Sequence, residues 1–167
     1  TCAKGQATLN KDNGCDICIG GKYQDQDEAT VYTCKVCAKG SVALDKNNDC
    51  DVCSGGKYQD QDEATVYTCK TCAKGSVAPD KDSDCAVCSG GKYQDQAAAT
   101  AYNCKTCLKG SVALDQNSNC AECTGGKYQD QNAATSYACS TCIKGKAAPD
   151  KNNDCDVCSE GKYQDQN

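Results

Sequence analysis

Apolar residues stand singly or in short groups along this chain, never in a long run, and the pattern in which they stand recurs. In the stretch 53–69, Gly55-Gly56 permits a tight turn with positive φ, and Lys57-Tyr58-Gln59 reads as a short extended run. Asp60 to Glu63 is a polar turn, and Thr65-Val66-Tyr67-Thr68-Cys69 is a second run rich in β-formers. The two runs predict a hairpin with Tyr58 and Tyr67 as cross-strand neighbours. In 37–50, Ser41-Val42-Ala43-Leu44 predicts a brief strand, and Asp45-Lys46-Asn47-Asn48-Asp49 a turn. Ala97-Ala98-Ala99 is the stretch best suited to a helical turn, and nothing predicts a longer helix.

These stretches belong to one repeating frame. Cys15, Cys50, Cys85, Cys120 and Cys155 recur every 35 residues without insertion or deletion, and GGKYQDQDEATVYTC at 20–34 returns unchanged at 55–69. The units fall at 1–35, 36–70, 71–105, 106–140 and 141–167, the last one incomplete. Each divides into a short and a long half, both opening on Cys-x-x-Gly and both ending at the cysteine that opens the next Cys-x-x-Cys. A fixed period of this kind means one structural unit used many times, so function is to be sought in the array. The frame also implies a longer polymer. Cys2 lacks its upstream companion, and eight residues beyond Asn167, one of them cysteine, would complete a fifth unit and even out the odd total of 19.

Composition sets the fold class. Cysteine supplies 19 of 167 residues, above the roughly 8–10% that marks a disulfide scaffold. Phe, Trp and Met are absent, so apolar burial alone offsets little of the conformational entropy lost on folding. Cross-links are the natural substitute, and they place the chain in an oxidising compartment, outside the cell or at its surface. The expected architecture is a set of small disulfide-rich tandem repeats, short β-hairpins and loops in an extended rod, with little helix. No stretch approaches the ~18–20 apolar residues of a membrane span.

Charge and residue type narrow the function. The net charge is −5 and every basic residue is Lys. Without Arg, the usual reader of phosphates and base edges, nucleic acid is not an expected partner. His is absent too, which removes the commonest general base and every His-containing zinc site. Catalysis normally uses one constellation, whereas every group here occurs about five times, so no enzymatic activity and no catalytic residue are expected. Thioredoxin-like redox chemistry would need a βαβ context around a Cys-x-x-Cys pair. Cys50, Cys53, Cys69 and Cys72 do have the spacing of a four-cysteine zinc ribbon, but the equally regular shorter interval leaves the zinc phase arbitrary.

The stretch 53–75, with Cys53-Ser-Gly-Gly-Lys-Tyr58 leading to Cys69-Lys-Thr-Cys72, resembles the ephrin-receptor-like cysteine-rich repeats. Their pattern is a Cys-x-x-Cys, then a small residue, Gly, a polar residue and Tyr, and a return to another Cys-x-x-Cys. The tumour-necrosis-factor-receptor cysteine-rich modules share the Cys, Gly and downstream Tyr of that loop. The likeness covers essentially the whole chain and implies an extracellular, disulfide-linked rod. The short halves depart from it: Val42, Val77 and Val112, with Ala7 and Ala147, replace the aromatic. A receptor-type ligand site is therefore not carried over.

Two disulfide pairings are open. The sequential one joins Cys2–Cys15, Cys18–Cys34, Cys37–Cys50, Cys53–Cys69, Cys72–Cys85, Cys88–Cys104, Cys107–Cys120, Cys123–Cys139 and Cys142–Cys155, leaving Cys158. The interlocked one joins Cys-x-x-Cys pairs twice, for example Cys15–Cys34 with Cys18–Cys37. The sequential pairing is preferred, because it treats both halves as the same bead and matches the receptor-like loop.

Two further chemistries are written into the repeat. Asp45, Asn47, Asp49 and Asp51 alternate as calcium-loop oxygens do, and the alternation recurs at Asp80, Asp82, Asp84 and at Asp150, Asn152, Asp154, Asp156. The Gly and the distal Glu of an EF-hand are missing, and Asp and Asn are also good turn residues. Calcium is the one candidate cofactor. There is no Asn-x-Ser/Thr sequon; the Asn-x-Cys form occurs at Asn13, Asn48 and Asn153, and Thr30, Thr33, Thr65, Thr68, Thr100 and Thr135 are repeated hydroxyls open to O-glycans.

The resulting expectation is an extracellular structural protein, a disulfide-stapled rod or fibril that self-associates into filaments and carries covalent glycans. The alternative is the repeat stalk of a cell-surface adhesin or receptor-like binding protein.

Overall fold

The computed structural model describes residues 1–8, 14–28 and 32–165. Among them there is no helix, and ten short strands pair as five two-stranded sheets. In chain order the strands are β1 (Gln6–Thr8), β2 (Cys15–Ile17), β3 (Ser41–Ala43), β4 (Cys50–Val52) and β5 (Ser76–Val77). Then come β6 (Ala86–Val87), β7 (Ser111–Ala113), β8 (Cys120–Glu122), β9 (Lys146–Ala147) and β10 (Asp156–Val157). Small disulfide-rich repeats with little helix are what the composition predicts, and what the chain forms.

Each sheet is a hairpin within a short half. In β3–β4, Ser41 faces Val52, Val42 faces Asp51 and Ala43 faces Cys50, all antiparallel. The turn between them is held by the Asp45 carboxylate, which accepts the amide of Asn47 at 2.7 Å. Val42 and Ala43 of β3 are buried, while Asp51 and Val52 of β4 are exposed, so the first strand of the hairpin meets the core and the second borders solvent.

The hairpin expected in the long half does not form. Tyr58 exchanges two backbone hydrogen bonds with Lys70, at 3.0 and 2.8 Å, as an isolated antiparallel bridge just outside the Cys53–Cys69 disulfide. Residues 61–68 make no strand, although they are rich in β-formers. The Ala64 amide donates to the Cys37 carbonyl at 2.9 Å within the same repeat, while the Tyr67 hydroxyl reaches the preceding one, donating to the carbonyls of Cys18 at 3.2 Å and Lys22 at 2.8 Å. The helical turn expected at Ala97-Ala98-Ala99 is absent as well. Ala99 is buried, and its amide donates to the carbonyl of Cys72 at 3.1 Å, which a helix would forbid.

Nine disulfides join successive cysteines, with sequence separations alternating between 13 and 16. They run from Cys2–Cys15 to Cys142–Cys155 in sequential order, and no interlocked pair occurs among them. Cys158 is a half-buried free thiol.

Two compact units result. The first comprises Thr1–Cys72, Ala78–Ala86 and Ala98–Tyr102; the second comprises Ala73–Val77, Val87–Ala97 and Asn103–Asn167. In the first, Tyr23, Cys37, Val42, Ala43, Cys53 and Ala64 form a buried cluster. In the second the equivalent cluster is Tyr93, Cys107, Val112, Ala113, Cys123 and Ala134. Each cluster draws residues from more than one 35-residue repeat, so a repeat completes its core with its neighbour, as solenoid units do.

Backbone bonds show how that sharing is organised. In the first unit Gln59 accepts the Gly40 amide at 2.8 Å and donates its own amide to the Lys81 carbonyl at 2.8 Å. In the second unit Gln129 accepts from Gly110 at 2.7 Å and donates to Lys151 at 2.9 Å. One residue of the long half thus ties the short half before it to the short half after it.

Candidate functional site

The first Gln of Gln-Asp-Gln is the most deeply placed polar group in the first four repeats, with Gln24 and Gln59 2% exposed or less, while Gln164 is half-buried. The Gln59 amide nitrogen donates to the carbonyls of Gln61 at 2.9 Å, Ala38 at 3.2 Å and Ser41 at 3.5 Å; its oxygen accepts the Gln61 amide at 2.6 Å. Such satisfaction is what a buried amide requires. Polarity alone would have placed these residues on the surface. The signal that could have found them is their identity in every repeat, at Gln24, Gln59, Gln94, Gln129 and Gln164.

Beside each Gln sits a cluster built on the preceding Tyr. Lys35 lies 5.7 Å from the Tyr23 ring centre and pairs with Asp25 at 2.6 Å. Burial pushes the Tyr23 phenol up to about 12, and its hydrogen bond to the Asp49 carboxylate adds to the rise. That same bond holds Asp49 below its ordinary value, while Lys35 does the same for Asp25. Tyr58, Lys70, Asp60 and Asp84 repeat the cluster, with Tyr58 again pushed up to about 12 by burial and by Asp84. In the second unit Lys105 pairs with Asp95 at 2.6 Å beside Tyr93. Ser140 stands where Lys would be beside Tyr128, whose phenol is raised by its bond to Asp154. A phenol this hard to ionise, with its lysine held by a carboxylate, is a fastening.

These fastenings use several of the candidate calcium oxygens. Asp49 accepts the Cys50 amide at 2.7 Å as well as the Tyr23 hydroxyl, and Asp45 accepts from Asn47. Asp51 stands exposed on β4. In the next copy Asp84 accepts from Cys85 at 2.7 Å and from Tyr58. Asp80 accepts the Asp82 amide at 3.1 Å, and a hydrogen bond between the two carboxyls lowers Asp80 and raises Asp82. In the last copy Asp150 accepts from Asn152 at 2.7 Å, Asp154 from Cys155 at 2.6 Å, and Asp156 lies exposed on β10. Among the described residues no group of three or more His, Cys, Asp or Glu side chains gathers around one point. Within the chain, the carboxylates of this alternation accept from separate amides and phenols.

Of the threonines, Thr33, Thr65, Thr68, Thr100 and Thr135 are exposed. The hydroxyls of Thr65 and Thr135 donate to Gln61 at 3.4 Å and Gln131 at 3.2 Å. Thr30 and Asn13 lie outside the described residues. No described helix is long and apolar enough to cross a membrane.

The feature most faithfully repeated is the fit of one long half against the next. Tyr67 reaches Cys18 and Lys22, and Tyr102 reaches Cys53 at 3.2 Å and Lys57 at 3.0 Å. In the second unit Tyr137 reaches Cys88 at 3.2 Å and Lys92 at 2.8 Å. At Gly21, Gly56 and Gly91 the second Gly of the Gly-Gly pair is what lets the backbones meet. A Cβ on Gly56, where φ is +73°, would lie 2.6 Å from the Ala101 nitrogen and 2.7 Å from the Ala99 oxygen. No protein-family model matches the chain, and no curated protein is significantly similar to it in sequence.

Proposed function

We propose that this chain is an extracellular structural protein, a disulfide-stapled fibrous array whose function is mechanical. One observation carries the reading. The contacts that join a repeat to the next recur atom for atom, from Tyr67 on Cys18 and Lys22 to Tyr137 on Cys88 and Lys92. Interactions of this kind add with repeat number, so stability grows with length and the exposed surface is reproduced at each step. A ligand-binding module would concentrate its differences in one repeat, whereas here they are spread over several, from Ala97-Ala98 in place of Asp62-Glu63 to Ser140 in place of Lys70. Nothing in the reading requires a catalytic step, a nucleic acid or a resident cofactor. The disulfides make the array durable outside the cell, and the exposed threonines offer places for O-glycans.

Electron microscopy of the native material tests this directly. Uniform filaments are the expected result, and discrete particles of single-chain mass overturn it. Intact mass under denaturing, non-reducing conditions should show two hydrogens lost for each of the nine disulfides.

A further inference from the structure

A shallow groove recurs in both units. In the first unit it encloses about 520 Å³ and is lined by Leu44, Asp51, Val52, Lys57 and Tyr67. In the second it encloses about 500 Å³; Leu114, Lys127 and Tyr137 take the places of Leu44, Lys57 and Tyr67 two repeats further on, while Ala121 and Glu122 stand where the first has Asp51 and Val52. Leu44 and Val52 are each 61% exposed, and Leu114 is 67% exposed. Pro79 and Pro149 replace the leucine in the intervening repeats. Leu44 and Val52 thus put two large and mostly exposed apolar side chains on the wall of one groove.

We propose that this groove is a seam through which two copies of this chain associate face to face. The inference deepens the structural reading above and rests on it. Charge chooses the occupant. Asp51 and Lys57 flank the apolar floor of the first groove, and neither is in an ion pair among the described residues. A surface bearing one acid, one base and an apolar centre is complementary to itself across a two-fold axis: Asp51 of one copy meets Lys57 of the other, and the reverse. The leucine and valine side chains then cover each other. The second groove also has an acid and a base, but its Glu122 is held by Lys151 at 2.7 Å within the chain.

The oxidised full-length chain is the material for the test, read by sedimentation velocity from micromolar to millimolar concentration. Wild type should associate with increasing concentration. L44D/L114D should weaken that association at least about tenfold, with intact mass and disulfide count unchanged. D51K and K57D should each weaken it, and the combined D51K/K57D should restore it to within about threefold, because the pairing is reconstituted with its signs exchanged. Wild type that stays monomeric throughout, or L44D/L114D that associates like wild type, overturns the seam. Electron microscopy separates this from the parent reading. Filaments of unchanged width in L44D/L114D overturn the seam and leave the fibrous reading standing; wild-type dimers without filaments support the seam and overturn the fibre.

Discussion

The hydroxyl of Tyr102 donates to the main-chain carbonyl of Cys53 at 3.2 Å, across a sequence separation of 49 residues, while Tyr32, at the same position of the first repeat, is 53% exposed. Tyrosines at one position of the frame are thus bonded to a neighbouring repeat in one case and exposed in the other. Tyr102→Phe should cost about 1 kcal/mol, the net worth of a hydrogen bond whose carbonyl loses its donor. Tyr32→Phe should change stability by less than about 0.5 kcal/mol, as exposed substitutions do. Urea unfolding of the oxidised chain measures both, and equal effects would remove the phenol from the repeat-to-repeat bond.

Gly55 and Gly56 separate backbone conformation from close approach. Both have positive φ, at 60° and 73°, but a Cβ on Gly55 meets nothing within 4 Å, whereas on Gly56 it meets the backbone of Ala99–Ala101. Gly55→Ala should cost about 1–2 kcal/mol, the left-handed penalty alone. Gly56→Ala should cost clearly more, since backbone has to move. Thermal unfolding under non-reducing conditions gives the order, and the reverse order would refute the contact.

Gln59→Leu fills the same space without the hydrogen bonds. It strands the Gln61 amide and three carbonyls, and should cost about 1–3 kcal/mol. Hydrogen exchange at the Gln61 amide is the specific readout. It should accelerate beyond the exchange of the Cys53 amide, which bonds to Gly40 through the backbone alone.

The clusters around tyrosine predict how stability depends on pH. Tyr23 and Tyr58 are raised from an ordinary 10.0 to about 12. Their contribution is therefore complete below about pH 10 and lost as pH rises toward 12. Asp25 is lowered by Lys35 and Asp49 by Tyr23. That contribution is complete above an ordinary carboxylate value of 3.8 and lost as pH falls through the depressed values. Urea midpoints should form a plateau between these limits, with Cys158 alkylated to prevent exchange at high pH. A tyrosinate absorbance titration should show two phenols ionising near pH 12, and Asp49→Asn should bring Tyr23 down. Uniform titration of every tyrosine near 10 would contradict the clusters.

The short half was largely legible in the sequence. Ser41-Val42-Ala43 and the Asp45–Asp49 turn are local signals, and only the return strand Cys50–Val52 went unread, because it begins on a cysteine. The long half was misread for a physical reason. Thr65-Val66-Tyr67 has the composition of a strand, but it packs on the bare backbone of Gly21 in the preceding repeat, and local propensity does not encode a partner so distant in sequence. In the candidate site, Asp45, Asn47, Asp49 and Asp51 alternate like metal ligands, and only the fold reveals that Asp49 also accepts the Tyr23 phenol, because Tyr23 lies in the preceding repeat.

The sequential order of the disulfides sets how far the molecule can stretch. Along the shortest covalent path, each loop is crossed at its sulfur bridge, where the Cα atoms are 5.7 Å apart in Cys37–Cys50 and 5.8 Å in Cys53–Cys69. Only the Cys-x-x-Cys links between bridges can straighten, each to about 10 Å. A repeat pulled until every hydrogen bond has failed thus lengthens to roughly 30 Å, where the reduced chain would reach about 120 Å. Tension first strips the non-covalent contacts between repeats and then meets an inextensible backbone of sulfur bridges. The protein has, in effect, a built-in stop, set by which cysteines are joined and independent of how tightly the repeats pack.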